Sequence, residues 1–421
     1  MLVSKMTFDR KIFSNTAWMV LEKFLGIFGL IFVNAYMARY IGPENFGKLA
    51  FVASIFVFVQ TVAWFGAQNV LFKRLSENVD SGLRLALASQ ILRRSLYFIT
   101  SFFALSYLWF FSDTLTFIFG LGNFVASYFI ISDIFTIHNN SQLNSFVNAL
   151  TNILGLGAAL LLRFVLVFVE AEAYTMIFPI ILLALIPYAT RKMYFHNKNK
   201  KIKNIKNKRR YNKYMFFTGG SLVLSTLSIA LYTQISNIFL AKFSSFADLG
   251  IYNVALVLGG AWGFVNIALI TSYFSRIYTT KNDVDELQYL RQIHGLILGL
   301  SFIVLLAVIF LGAWFIEMLY GVAFIEAAKL LPFIVIATML SAFGTIGYRY
   351  MIKFNGYSYL SIKMLLVSVV SIPLSFSLIK YHSAMGAAIC FVLVELISLT
   401  VANYFFKNGL ILKMHLKMIF K

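Results

Sequence analysis

Twelve apolar stretches, each near the length that crosses a bilayer, confine this chain to one fold class. They occupy residues 13–38, 46–71, 95–111, 115–137, 143–169, 174–194, 214–241, 249–274, 292–316, 330–352, 360–380 and 384–406. In hydrocarbon every peptide group needs a partner inside the protein, so only helices or a closed barrel can span. A barrel shows short alternating segments, whereas these runs are long and continuous. Only 12% of the residues are charged and 60% are apolar, against about 25% charged in a soluble domain. The expected fold is all-α: a polytopic transmembrane bundle of about 12 helices.

The spans divide into two halves of six. The first span ends in Asn34-Ala-Tyr-Met-Ala-Arg39-Tyr-Ile-Gly-Pro43-Glu-Asn-Phe-Gly47, and the pattern returns 203 residues later as Asn237-Ile-Phe-Leu-Ala-Lys242-Phe-Ser-Ser-Phe-Ala-Asp248-Leu-Gly250. Asn34/Asn237, Ala38/Ala241 and Gly47/Gly250 are identical, and six further pairs are conservative. The match falls at the start of each half, as an internal duplication should. Between the halves, residues 196–210 form a basic segment without an acid. The expected organisation is an N-terminal lobe at 1–195, a linker at 196–213 and a C-terminal lobe at 214–421. An even number of spans per half makes the repeats parallel, with the substrate path between them.

Lysine and arginine set the orientation. Of the 36 basic residues, 29 fall on the side that holds both termini and the linker. Five fall on the other side: Arg39, Lys48, Lys242, Lys329 and Lys380. Both termini are therefore expected in the cytoplasm. The net charge of +20 is a topology signal, and the linker is expected to touch anionic membrane lipids rather than nucleic acid. The single cysteine, Cys390, excludes a disulfide framework. No zinc or haem spacing and no GxxxxGK[ST] motif is present, so neither a bound metal nor an ATP motor is expected.

A charge inside a span needs a reason, since it costs about 2.5–3.5 kcal/mol at the helix centre. Glu22 and Lys23 in span one, Asp133 in span four, Arg163 in span five and Glu395 in span twelve are the candidates. Glu22 shares a helical face whose counterpart in span seven is Ser221, Ser225, Ser228, Tyr232 and Ser236. Both faces are expected to line a cavity, or else to pack helices closely through small residues. Span five carries Asn144, Asn148, Asn152 and Arg163 on one stripe. Amides suit sugar hydroxyls and a guanidinium suits a phosphate. A second reading of Arg163 is an outer-end anchor that snorkels. Glu395 pairs with a cation of another helix or carries a proton. Arg39 and Lys242 form an outer cationic rim or act as interfacial anchors. Pro179, Pro187 and Pro373 are expected to kink their helices.

Trp18-xxx-Glu22-Lys23 followed by Ala38-Arg39-Tyr-Ile-Gly42-Pro43-Glu44-Asn-Phe46-Gly47 resembles the N-terminal signature of the Wzx-type O-antigen and capsular repeat-unit flippases. These are polysaccharide transporters of the MOP/MATE superfamily. The span number, the six-plus-six plan and the basic linker are similar too. The resemblance implies a MATE-like fold and translocation of an undecaprenyl-diphosphate-linked oligosaccharide across the bacterial inner membrane. It implies no cofactor, a proton or sodium gradient as the energy source, and a polysaccharide polymerase and chain-length regulator as partners. Lys23 and Arg163 would then meet the diphosphate or acidic sugars, and Glu22 and Glu395 would be coupling or pairing carboxylates.

Two other classes stand beside it. A drug or organic-cation exporter of the MATE type suits an acidic, aromatic cavity, as Glu22, Asp133 and Glu395 would provide. A membrane polymerase or ligase needs a large outer loop with catalytic residues, and the longest outer loop here is about 13 residues. The chain is therefore expected not to be an enzyme.

Overall fold

The computed structural model describes residues 10–198, 208–278, 280 and 282–420, apart from most of the side chains of 10–33 and several others within the helices. Among them there is no strand. The α-helices are α1 (Arg10–Trp64), α2 (Ala67–Glu77), α3 (Val79–Ala88), α4 (Gln90–Phe111), α5 (Thr114–Ser132), α6 (Ile134–Ser141), α7 (Ser145–Phe168) and α8 (Ile177–Lys198). After the linker come α9 (Lys208–Phe243), α10 (Phe246–Gly260), α11 (Gly263–Ile277), α12 (Asp283–Tyr320), α13 (Ala327–Lys353), α14 (Tyr357–Leu399), α15 (Val401–Tyr404) and α16 (Leu410–Phe420). Nine helical stretches among the described residues are long and apolar enough to cross a membrane.

Dividing the two kinked helices, α1 and α14, brings that number to eleven, and α4 (Gln90–Phe111), which holds the expected span 95–111, is not among the nine. α1 is two helices joined at Gly42, whose φ of 78° and ψ of 168° are non-helical. Glycine tolerates that conformation, and Pro43 then opens the next helix, where a missing N–H costs nothing. α14 is likewise broken at Ser383 (φ 47°, ψ −130°). The second span ends earlier than its apolar run, at Trp64, because Phe65 and Gly66 both take positive φ. α5 runs unbroken through Gly120-Leu-Gly122. The missing side chain of Gly120 admits Leu108 of α4 and that of Gly122 admits Ile177. Pro179 sits in the first turn of α8, where it breaks no bond of the helix; Pro187 and Pro373 are inside theirs. Pro332 lies inside α13 as well.

Two compact units make up the chain: one from 1–33 and 55–227, the other from 34–54 and 228–421. The division thus falls within α1 and within α9, on either side of the basic linker rather than in it. In unit 1, α7 packs on α8, α5 lies against both α8 and α4, and α2 lies against α3 and α6. In unit 2, α13 packs on α14, α12 and α10.

The two copies of the repeated sequence meet inside unit 2. A methyl group on Gly47 would stand 1.7 Å from the Phe246 carbonyl oxygen, and one on Gly250 would stand 2.2 Å from the Pro43 carbonyl oxygen. The contact is reciprocal: position 43 corresponds to 246, and 47 to 250, under the 203-residue offset. Phe51 packs on Phe246 with ring centroids 5.6 Å apart, and Asn237 donates to the Ser54 hydroxyl at 2.9 Å. The glycines are required here because two helix backbones touch.

α16 docks on unit 2 through Ile411 and Met414, both buried among Ile293, Ile297, Ile346 and Phe406. Its His415 ring lies 5.9 Å from that of His294, and the Tyr404 hydroxyl is 3.2 Å from its Nδ1. Burial, then the neighbouring His294, pushes the His415 imidazole down to about 4.

Two outcomes are expected. Gly250→Ala should lower stability by about 1–3 kcal/mol through overpacking, read as a fall in the Tm of detergent-purified protein, while Gly260→Ala, with no atom within 4 Å of the added methyl, should not lower it. His415 binds its proton more weakly docked than free, so docking of α16 is fully favoured above the ordinary value of 6.5 and weakens as pH falls toward about 4. Limited proteolysis of the C-terminal segment should therefore accelerate between pH 6.5 and 4, and His415→Leu should abolish that dependence.

Candidate functional site

Unit 1 holds a buried polar network where α5, α6, α7 and α8 converge. Asp133 ends α5 and caps α6, accepting from the Thr136 backbone N–H at 3.2 Å and its hydroxyl at 2.8 Å. Its other partner is Arg191 of α8. Arg191 also donates to the Thr151 hydroxyl at 2.8 Å, the Thr136 hydroxyl at 2.6 Å, the Asn148 carbonyl at 3.2 Å and the Asn152 side chain. Five donors on a planar fork thus tie three helices together, which lysine could not do.

The asparagine stripe of α7 turns toward this network. Asn148 donates to Asn140 Oδ1 at 2.8 Å and to the Thr136 carbonyl at 3.0 Å, and accepts from Asn139 at 2.9 Å. Both amide hydrogens and the carbonyl oxygen are spent inside the unit. Asn148 thus fastens α6 to α7. Asn152 receives Arg191, and Asn144 donates to the Tyr194 hydroxyl at 3.2 Å. Arg163, three turns further along α7, is buried at 5% exposure rather than extended to a surface. Asp133, one of the intramembrane charges read from the sequence, is the anion of this network.

Unit 2 carries a second polar cluster. A cavity of about 220 Å³ is lined by Tyr232 and Ser236 of α9, Tyr252 of α10, and Ser375, Cys390 and Val394 of α14. Ser375 lies 3.4 Å from Ser236 and 3.1 Å from the Cys390 sulfur. Glu395 follows Val394 and is buried, and so is Lys363 of α14, at 3% exposure. Tyr232 and Lys363 are both within electrostatic reach of Glu395. No ion pair within 4.0 Å joins Lys363 to Glu395. The kink at Ser383 folds α14 back on itself, so one helix supplies both charges.

Ser228 is buried at 5% exposure on α9. The side chains of Glu22, Lys23 and Ser225 lie outside the described residues. Arg39 and Lys242 are exposed. Arg39 lines a cleft of about 410 Å³ with Trp314, Glu317 and Met318 at the C-terminal end of α12, where the carbonyl end of a helix favours a cation. Lys242 lies 5.7 Å from the Phe243 ring.

Arg191 and Lys363 are the residues the sequence reading passed over. Both stand near span ends and were read as topology markers. A signal for Lys363 exists: Lys363, Val367, Ser371 and Ser375 recur every four residues and all are buried.

The family model described as polysaccharide biosynthesis protein matches residues 12–278, more than half of the chain. The chain belongs to this family. Among solved structures, its fold is similar to that of the lipid II flippase MurJ in an inward closed conformation, at 17% identity and a TM-score of 0.69, over 97% of this chain and 91% of that one. It is also similar to an inward-facing multidrug resistance MATE family transporter of the MOP superfamily, at 13% identity and a TM-score of 0.68, over 93% and 94%. A MATE in complex with MaD5 gives 11% identity and a TM-score of 0.62, over 97% and 96%. No curated protein matches the sequence. The family member described here is thus a multi-pass membrane protein whose fold is similar to that of these transporter and flippase structures.

Removing one member of a buried ion pair leaves the other charge uncompensated, at a cost of about 3–5 kcal/mol. Asp133→Ala should therefore destabilise the family member strongly, and a compensating Arg191→Met in the same chain should recover part of the loss, read as Tm in detergent.

Proposed function

We propose that this chain translocates an undecaprenyl-diphosphate-linked oligosaccharide repeat unit across the bacterial inner membrane, for O-antigen or capsule synthesis, by alternating access. The observation that carries this reading is the polysaccharide biosynthesis family match over residues 12–278. The fold it shares with a lipid II flippase supports it. The headgroup of such a substrate is polar and anionic, and crossing hydrocarbon unaided would strip it of water. Buried Arg163 supplies a planar cation suited to a diphosphate. The oligosaccharide is moved without any bond being made or broken, so no catalytic residue is assigned. Both termini and the basic linker face the cytoplasm in this reading, by the distribution of lysine and arginine.

Energy comes from a proton or sodium gradient, with Glu395 as the coupling carboxylate and Lys363 as the cation that balances it. A carboxylate and an ammonium buried near one another but not in contact leave room for a proton or cation to alter their balance. The MATE-type exporter remains the second reading, favoured by the fold likeness to multidrug transporters.

In a cell lacking this protein, single lipid-linked repeat units should accumulate on the inner leaflet and surface polymer should disappear. Wild type should restore both. Arg163→Ala and Glu395→Gln, inserted at normal level, should each lower surface polymer by about tenfold or more, equivalent to about 1.4 kcal/mol in the barrier. Units that reach the outer leaflet unpolymerised would refute the flippase reading in favour of an enzyme. Unchanged polymer with new drug sensitivity would favour the exporter.

A further inference from the structure

Unit 1 has an unassigned cavity, of about 340 Å³, where the start of α4, the α5–α6 junction and the last turns of α8 meet. Arg93, Arg94, Lys192 and His196 stand on its wall, with Phe135 and Tyr188, and no carboxylate is among the residues that line it. It is distinct from the Asp133–Arg191 network, whose charges are already paired.

The cations here are held in place yet not neutralised. Arg93 is 2% exposed and donates to the Ile131 carbonyl at 3.0 Å and the Ala86 carbonyl at 3.3 Å, while its guanidinium lies 5.3 Å from the Trp64 ring. Arg94 lies 5.8 Å from the Tyr128 ring and is close enough to Arg93 for the two charges to repel. Lys192 is exposed, 5.6 Å from the Tyr188 ring. Among the described residues no acid pairs with any of the three within 4.0 Å. Nε of Arg93, Nε of Arg94 and the Ser132 hydroxyl are buried without a hydrogen-bond partner among the described residues. A compact anion with several acceptor oxygens would satisfy this set, and phosphate has that chemistry.

The surroundings say where the phosphate comes from. Leu87 is exposed at the end of α3 and Ile91 at the start of the apolar run of α4, and Phe98 and Phe102 continue the exposed strip along α4. Residues 91, 98 and 102 share one helical face. We propose that this cavity binds the phosphate headgroup of an anionic phospholipid from the adjacent leaflet, with an acyl chain lying along the Ile91–Phe98–Phe102 strip of α4. Basic pockets between membrane helices on the side richer in lysine and arginine suit such headgroups.

The test is lipid retention by the full chain purified in detergent, followed by native mass spectrometry with phosphatidylglycerol and phosphatidylethanolamine. Wild type should retain phosphatidylglycerol preferentially. Lys192→Gln, at an exposed site that folding does not need, should lower retention about fivefold, and Arg94→Gln with it further, about fivefold per lost charge. Lys73→Gln, an exposed basic residue away from the cavity, should change nothing, and Tm should report that each variant is folded. Retention equal to wild type in folded Lys192→Gln and Arg94→Gln, or an equal loss in Lys73→Gln, overturns the proposal. So does displacement by inorganic phosphate at the concentration of the lipid, which would make this a free-anion site. Retention of a polyprenyl diphosphate but not of phosphatidylglycerol also overturns it, by giving the cavity to the transported lipid. Surface polymer measured on the same variants separates this inference from the transport reading, which stands if lipid retention fails and polymer is normal.

Discussion

A peptide group without a hydrogen-bond partner costs several kcal/mol in hydrocarbon, and the architecture follows from avoiding that cost. Every span is helical, and breaks in the helices occur only at particular residues. Gly42 takes a conformation that glycine tolerates and hands over to Pro43, which has no N–H to satisfy. Ser383 breaks α14 and returns the chain, so that the Lys363 and Glu395 ends of one helix come within electrostatic reach. The Gly47–Gly250 contact belongs to the same economy. Helices that gain nothing from water exclusion must associate by close packing, and the two repeats meet where neither has a side chain.

Side-chain charges inside the bundle obey the same constraint in two ways. In unit 1, Arg191 and Asp133 satisfy each other and draw in Thr136, Thr151, Asn148 and Asn152. A network so fully satisfied is a rigid fastening. In unit 2, Lys363 and Glu395 are buried near one another without direct contact. A buried pair held apart in this way is poorly suited to holding helices together and well suited to responding to a proton, an ion or a substrate. This contrast, rather than the mere presence of intramembrane charge, distinguishes the fastening in one unit from the coupling site proposed in the other.

The amphipathic edges of the units show a third use of charge. α16 lays Ile411 and Met414 into unit 2 while Arg291 donates to the Lys417 carbonyl at 2.9 Å. At the basic end of unit 1 the guanidinium groups of Arg93 and Arg94 lie over aromatic rings, with no acid paired to them among the described residues. The transport proposed for this chain would require helices to move within a lipid bilayer, and an anchored headgroup at such an edge would tie one unit to its leaflet.

The sequence by itself determined the membrane class, the place of most spans and the duplication. These follow from local quantities: run length, hydropathy and spacing along one chain. The family was legible in residues 34–47 for the same reason, because the Gly42-Pro43 turn and Gly47 are local devices. Only the tertiary structure decided what the polar residues do. Asn148 on its helical stripe reads equally well as facing substrate or facing α6, and the choice depends on where Asn139, Asn140 and Thr136 fall. Arg191 and Lys363 read as surface cations because a basic residue near a span end usually reaches water. They are buried because Asp133 and Glu395, 58 and 32 residues away in the chain, are brought to them by packing. Periodicity tells which residues share a face, but the partner of that face is a property of the folded bundle.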